Sequence, residues 1–211
     1  DARWLQEQRL RQQARMVADV LARQLDAVNV ALVGLSGDAH ALLQGQHAVG
    51  VPTRLRSMEA AMPGVRTFSI FDADGVIRAS SRDELVGGNF AERDYFRTAR
   101  LHNDAGLLHV SAPFRTQLGA WAMNLVRTLR GADGRFAGVV AATLDATFVA
   151  ELVAPAHYAA DMWGAVAHDS GRLLLMVPPR PAVEGTDLLQ PGSMFSRHVA
   201  SGLVETAYWG R

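Results

Sequence analysis

The sequence predicts an α+β domain in which one long helix precedes two antiparallel-sheet modules. Three observations lead to this prediction. Apolar residues recur every three or four positions from Leu10 to Leu42, the spacing of an amphipathic helix. Apolar segments further along are joined by Asp-Gly turns after Asp74 and Asp133. A similar turn, ending at Gly171, recurs between apolar segments in the second half of the chain.

The composition limits the possible classes of function. The chain has 211 residues, 49% of them hydrophobic and 20% charged, which is enough for one or two packed cores. Its formal net charge is zero and its Arg residues are scattered, so the charge pattern of a nucleic-acid-binding protein is missing and no nucleic-acid partner is expected. It has no Cys, which excludes disulfides, thiol catalysis and Cys-based zinc sites.

The N-terminal helix is longer than the domain that it would cover. A helix from Asp1 to Gln44 would extend over about 66 Å at about 1.5 Å per residue. We therefore expect its N-terminal part to project or to pair with a second copy. In such a homodimer the residues nearest the two-fold axis would be Trp4, Leu10, Val17 and Leu21.

A shorter helix and an antiparallel sheet follow this long helix. Gly50-Val51-Pro52 ends the first helical region, and a second helix is predicted from Thr53 to Met62. The first strand begins after Pro63-Gly64. The turns at Asp74-Gly75 and Asp133-Gly134 suit the positive φ angles of tight hairpins, so neighbouring strands should be antiparallel.

A weak internal repeat predicts a second, smaller module. Asp72 to Gly75 has a counterpart in His168 to Gly171, and Phe96 and Phe195 each follow in a short helix after a Gly-containing loop. A strand is predicted from Leu203 to Trp209, and the second module is expected to be smaller or incomplete. The predicted division is a long helix over 1–47, a first module over 48–155 and a smaller second module over 156–211.

An ordered set of short segments in the first module resembles a known family. The segments are Asp74-Gly75 with Ser80-Ser81, Arg93-Asp94-Tyr95-Phe96, Trp121, Arg127, and Asp133 through Val140. They resemble the periplasmic double-Cache sensor domains of bacterial transmembrane receptors, which are two PAS-like modules in tandem behind a long helix. The resemblance implies a non-enzymatic, periplasmic sensor domain whose output, a diguanylate cyclase, histidine kinase or chemoreceptor, lies outside this chain. It also implies that the module over 48–155 is membrane-distal and the module over 156–211 membrane-proximal, with membrane contact only through transmembrane helices before Asp1 and after Arg211.

Strand alternation suggests where a ligand could bind. Residues two apart on a strand share a face, so Trp121, Met123, Leu125 and Arg127 point the same way. A partly buried Arg needs an anion nearby because its charge cannot be removed. For Arg127 that anion could be Asp145, Asp94 or a ligand carboxylate held by two hydrogen bonds.

The family resemblance extends this candidate site. It implies that the helix from Arg93 to Arg100 forms one wall of a ligand pocket and that the central strands form its floor. Phe96 is expected in the core, Tyr95 and Trp121 could instead be ordinary core aromatics, and Arg93 could form a structural salt bridge. The predicted ligand-binding residues are Arg93, Tyr95, Trp121, Met123, Arg127 and Asp145, with a small carboxylate as the favoured ligand.

Other functions have less support from the sequence. The seven His residues form no metal-binding pair, and no nucleophile elbow, phosphate loop or dinucleotide motif occurs, so neither a metal nor a cofactor is expected. Asp72-x-Asp74-Gly lacks the remaining ligands of a calcium loop. One alternative is a ligand-free dimerisation or interaction module. Another, a hydrolase with Asp72 and Asp74 as acid and base, requires both residues in a cleft.

Overall fold

The computed structural model describes residues 1–46, 49–116, 119–157, 159–180, 183–203 and 205. The predicted α+β class is confirmed, with a long first helix followed by antiparallel sheets. Most of the strand predicted over Leu203 to Trp209 lies outside the described residues. The helices are α1 (Ala2–Leu43), α2 (Val51–Ala61), α3 (Asp94–His102), α4 (Ala146–Val153) and α5 (Met194–Ser201). The strands are β1 (Val65–Asp72), β2 (Ile77–Ser80), β3 (Leu108–Val110), β4 (Phe114–Arg115), β5 (Trp121–Arg130), β6 (Phe136–Asp145), β7 (Gly164–Ala167) and β8 (Leu173–Val177).

Six strands form one antiparallel sheet in the order β2-β1-β6-β5-β3, and β4 pairs with the same edge of β5 that β3 uses. The long strands β5 and β6 are its centre, and their register places Leu125 opposite Ala142. A separate two-stranded sheet consists of β7 and β8. The predicted hairpin after Asp74 is the β1–β2 connection, where Gly75 has a φ of 82°.

Each face of the larger sheet has its own hydrophobic core. On one face α1 and α4 pack against side chains that include Phe68, Ile70 and Leu125, all fully buried. On the other face of the sheet, Phe96 of α3 packs in a second cluster of buried side chains that includes Val126 of β5. Full burial of each such side chain stabilises the fold by about 1.5 to 3 kcal/mol. The alternation of the central strands therefore divides their residues between two different environments.

The N-terminal half of α1 packs against the segment after α4, which corrects the expectation that it projects. The Gln13 side chain is buried, and its Nε2 donates to the Ala156 carbonyl at 3.0 Å. Arg11 and Arg15 each form an ion pair with Glu205 at 2.8 Å. Val17 is only 8% exposed and belongs to the domain core, so it does not face a two-fold axis.

The weak sequence repeat corresponds to a repeated local structure. Val76 forms an isolated bridge to Asn89 after the first hairpin turn, and Arg172 forms the equivalent bridge to Asp187 after the second. A helix follows each bridge, α3 in the first repeat and α5 in the second. We call residues 65–102 the first repeat and residues 164–201 the second repeat.

Candidate functional site

A cavity of about 270 Å³ lies between the α3 face of the large sheet, the segment after β2 and the start of α3. Residues of β1, β5 and β6 form its floor, and residues 82–95 form much of its wall. The lining residues are Arg66, Thr67, Ser69, Phe71, Ile77, Arg82, Glu84, Leu85, Phe90, Arg93, Tyr95, Phe114, Thr116, Asn124, Ala141 and Thr143.

The floor carries small polar side chains from three adjacent strands. Thr143 Oγ1 donates to Asn124 Oδ1 at 2.6 Å, and Asn124 is 3% exposed. Its own backbone N–H donates to Ser111 Oγ at 2.8 Å. The hydroxyls of Ser69 on β1 and Ser80 on β2 are hydrogen-bonded to each other at 2.9 Å. These bonds hold the floor in a fixed arrangement before any ligand binds.

Aromatic rings form a continuous wall along the cavity. The Phe71 ring lies 6.2 Å from that of Phe90 and 6.4 Å from that of Tyr95, centroid to centroid. Tyr95 and Phe114 are 5.6 Å apart. Burial raises the pKa of the Tyr95 phenol to about 12, opposed by the charge of Arg93 and by a hydrogen bond with the Asn124 side chain. The hydroxyl is therefore neutral at ordinary pH.

Three Arg residues line the cavity, and they differ in their partners. Arg66 is paired with Asp145 at 3.1 Å. Arg82 donates to the Arg66 carbonyl at 3.0 Å and reaches Glu59 at 3.5 Å. Arg93, which precedes α3 as its N-cap, lies with its guanidinium 5.9 Å from the Phe114 ring centroid. Among the described residues no carboxylate is paired with Arg93.

The structure brings only Arg93 and Tyr95 of the predicted site residues together at this cavity. Met123 is 1% exposed and lies in the core beneath α1, on the opposite face of the sheet. Trp121 also packs on that face, with the Arg115 guanidinium 5.3 Å from its ring centroid. Neither residue contributes to the described cavity lining.

The remaining two predicted residues have structural partners elsewhere. Arg127 donates to the Ala105 carbonyl at 2.7 Å, so carbonyl groups, and not the expected carboxylate, accept its hydrogen bonds. Asp145 pairs with Arg66 and also accepts a hydrogen bond from the Phe148 N–H at 3.0 Å as the N-cap of α4. Asp145 therefore holds Arg66, which lines the cavity, but does not itself belong to the described lining.

The predicted site and the observed cavity lining use opposite faces of β5. The alternation of residues along β5 favoured the face of Trp121 and Arg127, whereas the cavity lies on the face of Asn124. The missed residues carry a common signal, since Ser69, Asn124 and Thr143 are each a single polar residue between two apolar ones within a strand. Their alignment across three strands depends on the register, which a single sequence does not show.

The acidic residues of the first hairpin turn have a local role. Asp72 Oδ1 accepts hydrogen bonds from the Asp74 and Val76 backbone N–H groups, both at 3.0 Å, and its other oxygen accepts from Arg78 at 2.6 Å. Neither Asp lines the cavity, so the hydrolase alternative is wrong. Within the described part of the chain, no cluster of three or more acidic or His side chains could hold a metal ion. No helix in that part is long and apolar enough to cross a membrane.

Comparisons with known proteins show which solved structures share this architecture. No protein-family model and no curated protein sequence matches the chain. The extracellular domain of rpHK1S-Z16, described as a histidine kinase, is 21% identical with a TM-score of 0.70, over 88% of this chain and 76% of that one. The sensor domain of the V. cholerae histidine kinase DctB is 16% identical with a TM-score of 0.68, over 98% and 80% respectively. The ligand-binding domain of the Pseudomonas aeruginosa PAO1 amino acid chemoreceptor PctC, in complex with GABA, is 15% identical with a TM-score of 0.61, over 87% and 81%.

At these identities the likeness shows the fold. The chain has the fold of the Cache or PAS-like sensor domains of histidine kinases and chemoreceptors, as its sequence predicted. The matched structures are sensor and ligand-binding domains, not catalytic ones.

Proposed function

We propose that this chain is the periplasmic ligand-sensing domain of a transmembrane signalling receptor, and that it binds a small carboxylate in the cavity of its first module. The receptor output would be a diguanylate cyclase, a histidine kinase or a chemoreceptor. The observation that carries the proposal is Arg93, a partly buried cation at a polar and aromatic cavity with no paired carboxylate among the described residues. We propose the module boundaries that the sequence predicts, with the ligand-binding module over 48–155 and the smaller module over 156–211.

The chemistry of Arg93 supports an anionic ligand. A guanidinium stays charged and presents several N–H donors in a plane, which match the two oxygens of a carboxylate. Partial burial makes an unpaired charge costly, so a ligand carboxylate would offset that cost. The PctC domain, which shares this fold, is complexed with GABA, a molecule that bears a carboxylate. At about 270 Å³ the cavity is just below the range of about 300 to 1,000 Å³ of pockets for drug-sized ligands.

The position of the cavity suggests how binding reaches the rest of the receptor. Its floor is built from β5 and β6, and α1 packs against the opposite face of those same strands. A ligand that prefers one arrangement of α3 and the sheet would shift the equilibrium between two positions of α1. The long helix would then transmit the change towards the membrane.

Thermal-shift screening followed by calorimetry tests the ligand class. We expect at least one member of a panel of monocarboxylates, dicarboxylates and amino acids to raise the melting temperature of the domain. Arg93→Ala should weaken binding of that compound by about ten- to a hundredfold, because a charge-assisted contact contributes about 1.5 to 3 kcal/mol. Arg97→Ala is the matched control, since Arg97 is on the same helix but pairs with Glu92 and lies outside the cavity. A panel without any stabilising compound would refute the proposal.

We also propose that the chain forms a homodimer. The alternative function, a dimerisation or interaction module that binds no ligand, would use the same dimer. Several apolar side chains of α1 are exposed, among them Trp4 at 59%, Leu10 at 50% and Val33. We expect single Cys substitutions at Trp4 and Val33, which the helical repeat places on the same side of α1, to crosslink in the membrane-anchored protein, and one at the buried Val17 not to. The absence of native Cys makes this experiment clean. Crosslinks at Val17 alone would contradict this arrangement.

A further inference from the structure

The charges and rings around the cavity select among carboxylates. We infer that this site prefers a monocarboxylate with an apolar, ring-sized body over a dicarboxylate, an inference that rests on the proposed function.

The cavity offers one unpaired cation. Arg66 is neutralised by Asp145 at 3.1 Å, and Arg82 is directed to Glu59 and to a backbone carbonyl. Arg93 is the cation left without a carboxylate among the described lining residues. Glu84 also lines the cavity, and the described residues provide it with no ion pair. A second carboxylate on the ligand would therefore meet a neutralised Arg or a negative Glu, and its desolvation would not be offset.

The rest of the wall suits an apolar body. Phe71, Phe90 and Phe114 present ring surface to the cavity, and Ile77 and Leu85 add aliphatic surface. Aromatic side chains contribute to binding both by burial of apolar area and by the geometry of ring pairs. A dicarboxylate would leave this surface against charged or hydrated groups.

The arrangement of these groups gives the ligand a direction. Arg93 lies beside Phe114, 5.9 Å from its ring centroid. From Phe114 the ring contacts continue through Tyr95 and Phe71 to Phe90. A carboxylate bound to Arg93 thus places the body of the ligand along this row of rings, which has no unpaired cation at its Phe90 end among the described residues.

An unsatisfied hydroxyl on the cavity lining supports a polar contact for the ligand. Thr116 Oγ1 is buried and has no hydrogen-bond partner among the described residues. Buried polar groups are normally hydrogen-bonded. One carboxylate, with two oxygens that each accept several hydrogen bonds, has the capacity for both a guanidinium and a hydroxyl.

Calorimetric titration of the whole domain with matched compounds tests the preference. Phenylacetate and 3-phenylpropanoate should bind at least about tenfold more tightly than succinate or acetate. Phenylacetamide, which keeps the ring but lacks the charge, should bind at least about tenfold more weakly than phenylacetate. Tighter binding of succinate, or equal binding of the amide, would overturn the inference and leave the carboxylate sensor intact in the first case. No binding by any carboxylate would overturn both.

A pair of neighbouring variants separates ring-sized binding from general stability. Leu85 lines the cavity, whereas Val86, the next residue, is exposed and does not. Leu85→Ala should weaken phenylacetate binding by roughly tenfold while acetate binding stays unchanged. Val86→Ala should alter neither affinity. The melting temperature of each ligand-free variant checks that it folds. Equal losses for phenylacetate and acetate in Leu85→Ala, or the same loss in Val86→Ala, would overturn the role of the apolar wall.

Discussion

The first and second repeats share a local path and differ in what their helices bury. In the first repeat, α3 covers the large sheet and buries Phe96 and Ala99 completely. In the second, α5 follows an equivalent hairpin and bridge, but none of its eight residues, all of them described, is buried. The cavity lies beside the first repeat, between the start of α3 and the large sheet.

This difference shows how a cavity is maintained next to a core. The core-facing side of α3 is fixed by Phe96, whose ring packs 5.5 Å from that of Phe136 and 6.1 Å from that of Phe71. The N-terminal part carries Arg93 and Tyr95 at the cavity edge. A helix anchored at one side can leave space at the other, whereas α5 has no such buried anchor within its own residues. The two repeats thus share the path of the hairpin, and the described cavity lies beside the first of them.

The largest predicted effect comes from removing the buried ring of Phe96, which anchors α3. Phe96→Ala should lower the free energy of unfolding by about 3 to 5 kcal/mol, because it removes a fully buried ring and leaves a cavity. Phe195→Ala, at the corresponding place in α5, should cost much less, since Phe195 is only half-buried. Urea unfolding followed by circular dichroism measures both. Equal losses would show that the two helices are anchored alike.

The second prediction uses the titration of Tyr95. Because its folded pKa is raised to about 12 from an unfolded value of about 10, the folded state binds more protons between these values. The contribution is fully present below about pH 10 and is lost as the pH rises through about 12, at most about 2 to 3 kcal/mol. All 21 basic side chains are Arg and there is no Cys, so few other groups titrate in this range.

Unfolding at pH 8 to 12 of the parent and of Tyr95→Phe tests this dependence. The variant should lose less stability between pH 10 and 12 because it has no phenol to ionise. The same alkaline loss in both proteins would place the titrating group elsewhere. An Arg115→Ala variant serves as a control, because that exposed Arg contacts Trp121 and lies outside the cavity.

The smallest predicted effect compares the two hairpin turns directly. Gly75 and Gly171 have φ angles of 82° and 89°, so an Ala at either position costs about 1 to 2 kcal/mol from backbone strain. An added Cβ at Gly75 would also come within 2.6 Å of the Ala91 backbone nitrogen. At Gly171 it would meet the Leu189 side chain at 2.4 Å, and a side chain can move more easily than a backbone. Gly75→Ala should therefore be more destabilising by about 1 kcal/mol, measured as melting temperature and urea midpoint. An equal or reversed order would indicate that the first turn yields as readily as the second.

The sequence predicted the fold well because its signals are local. The helical spacing over α1 and the Asp-Gly turns each depend on neighbouring residues, and they identified the long helix and the hairpins correctly. Arg93 and Tyr95 were placed at the cavity by family resemblance. The errors at Met123 and Arg127 have a different origin, because the choice between two strand faces depends on what packs against each face. The packing of Gln13 against Ala156 joins positions far apart in the chain, which no local pattern encodes.

The junction at Asp145 has a mechanical consequence. β6 ends at this residue, and α4 begins at the next one and is followed immediately by the 3₁₀ turn Ala154–Ala156. No flexible joint separates the strand under the cavity from the helix that touches both α1 and β8. Because the strand, the helix and the turn follow one another without a loop, we expect a tilt of β6 to be passed on to α4. Insertion of two Gly residues after Asp145 would place a flexible joint between β6 and α4, and we expect it to weaken the coupling of the large sheet to α1 and β8.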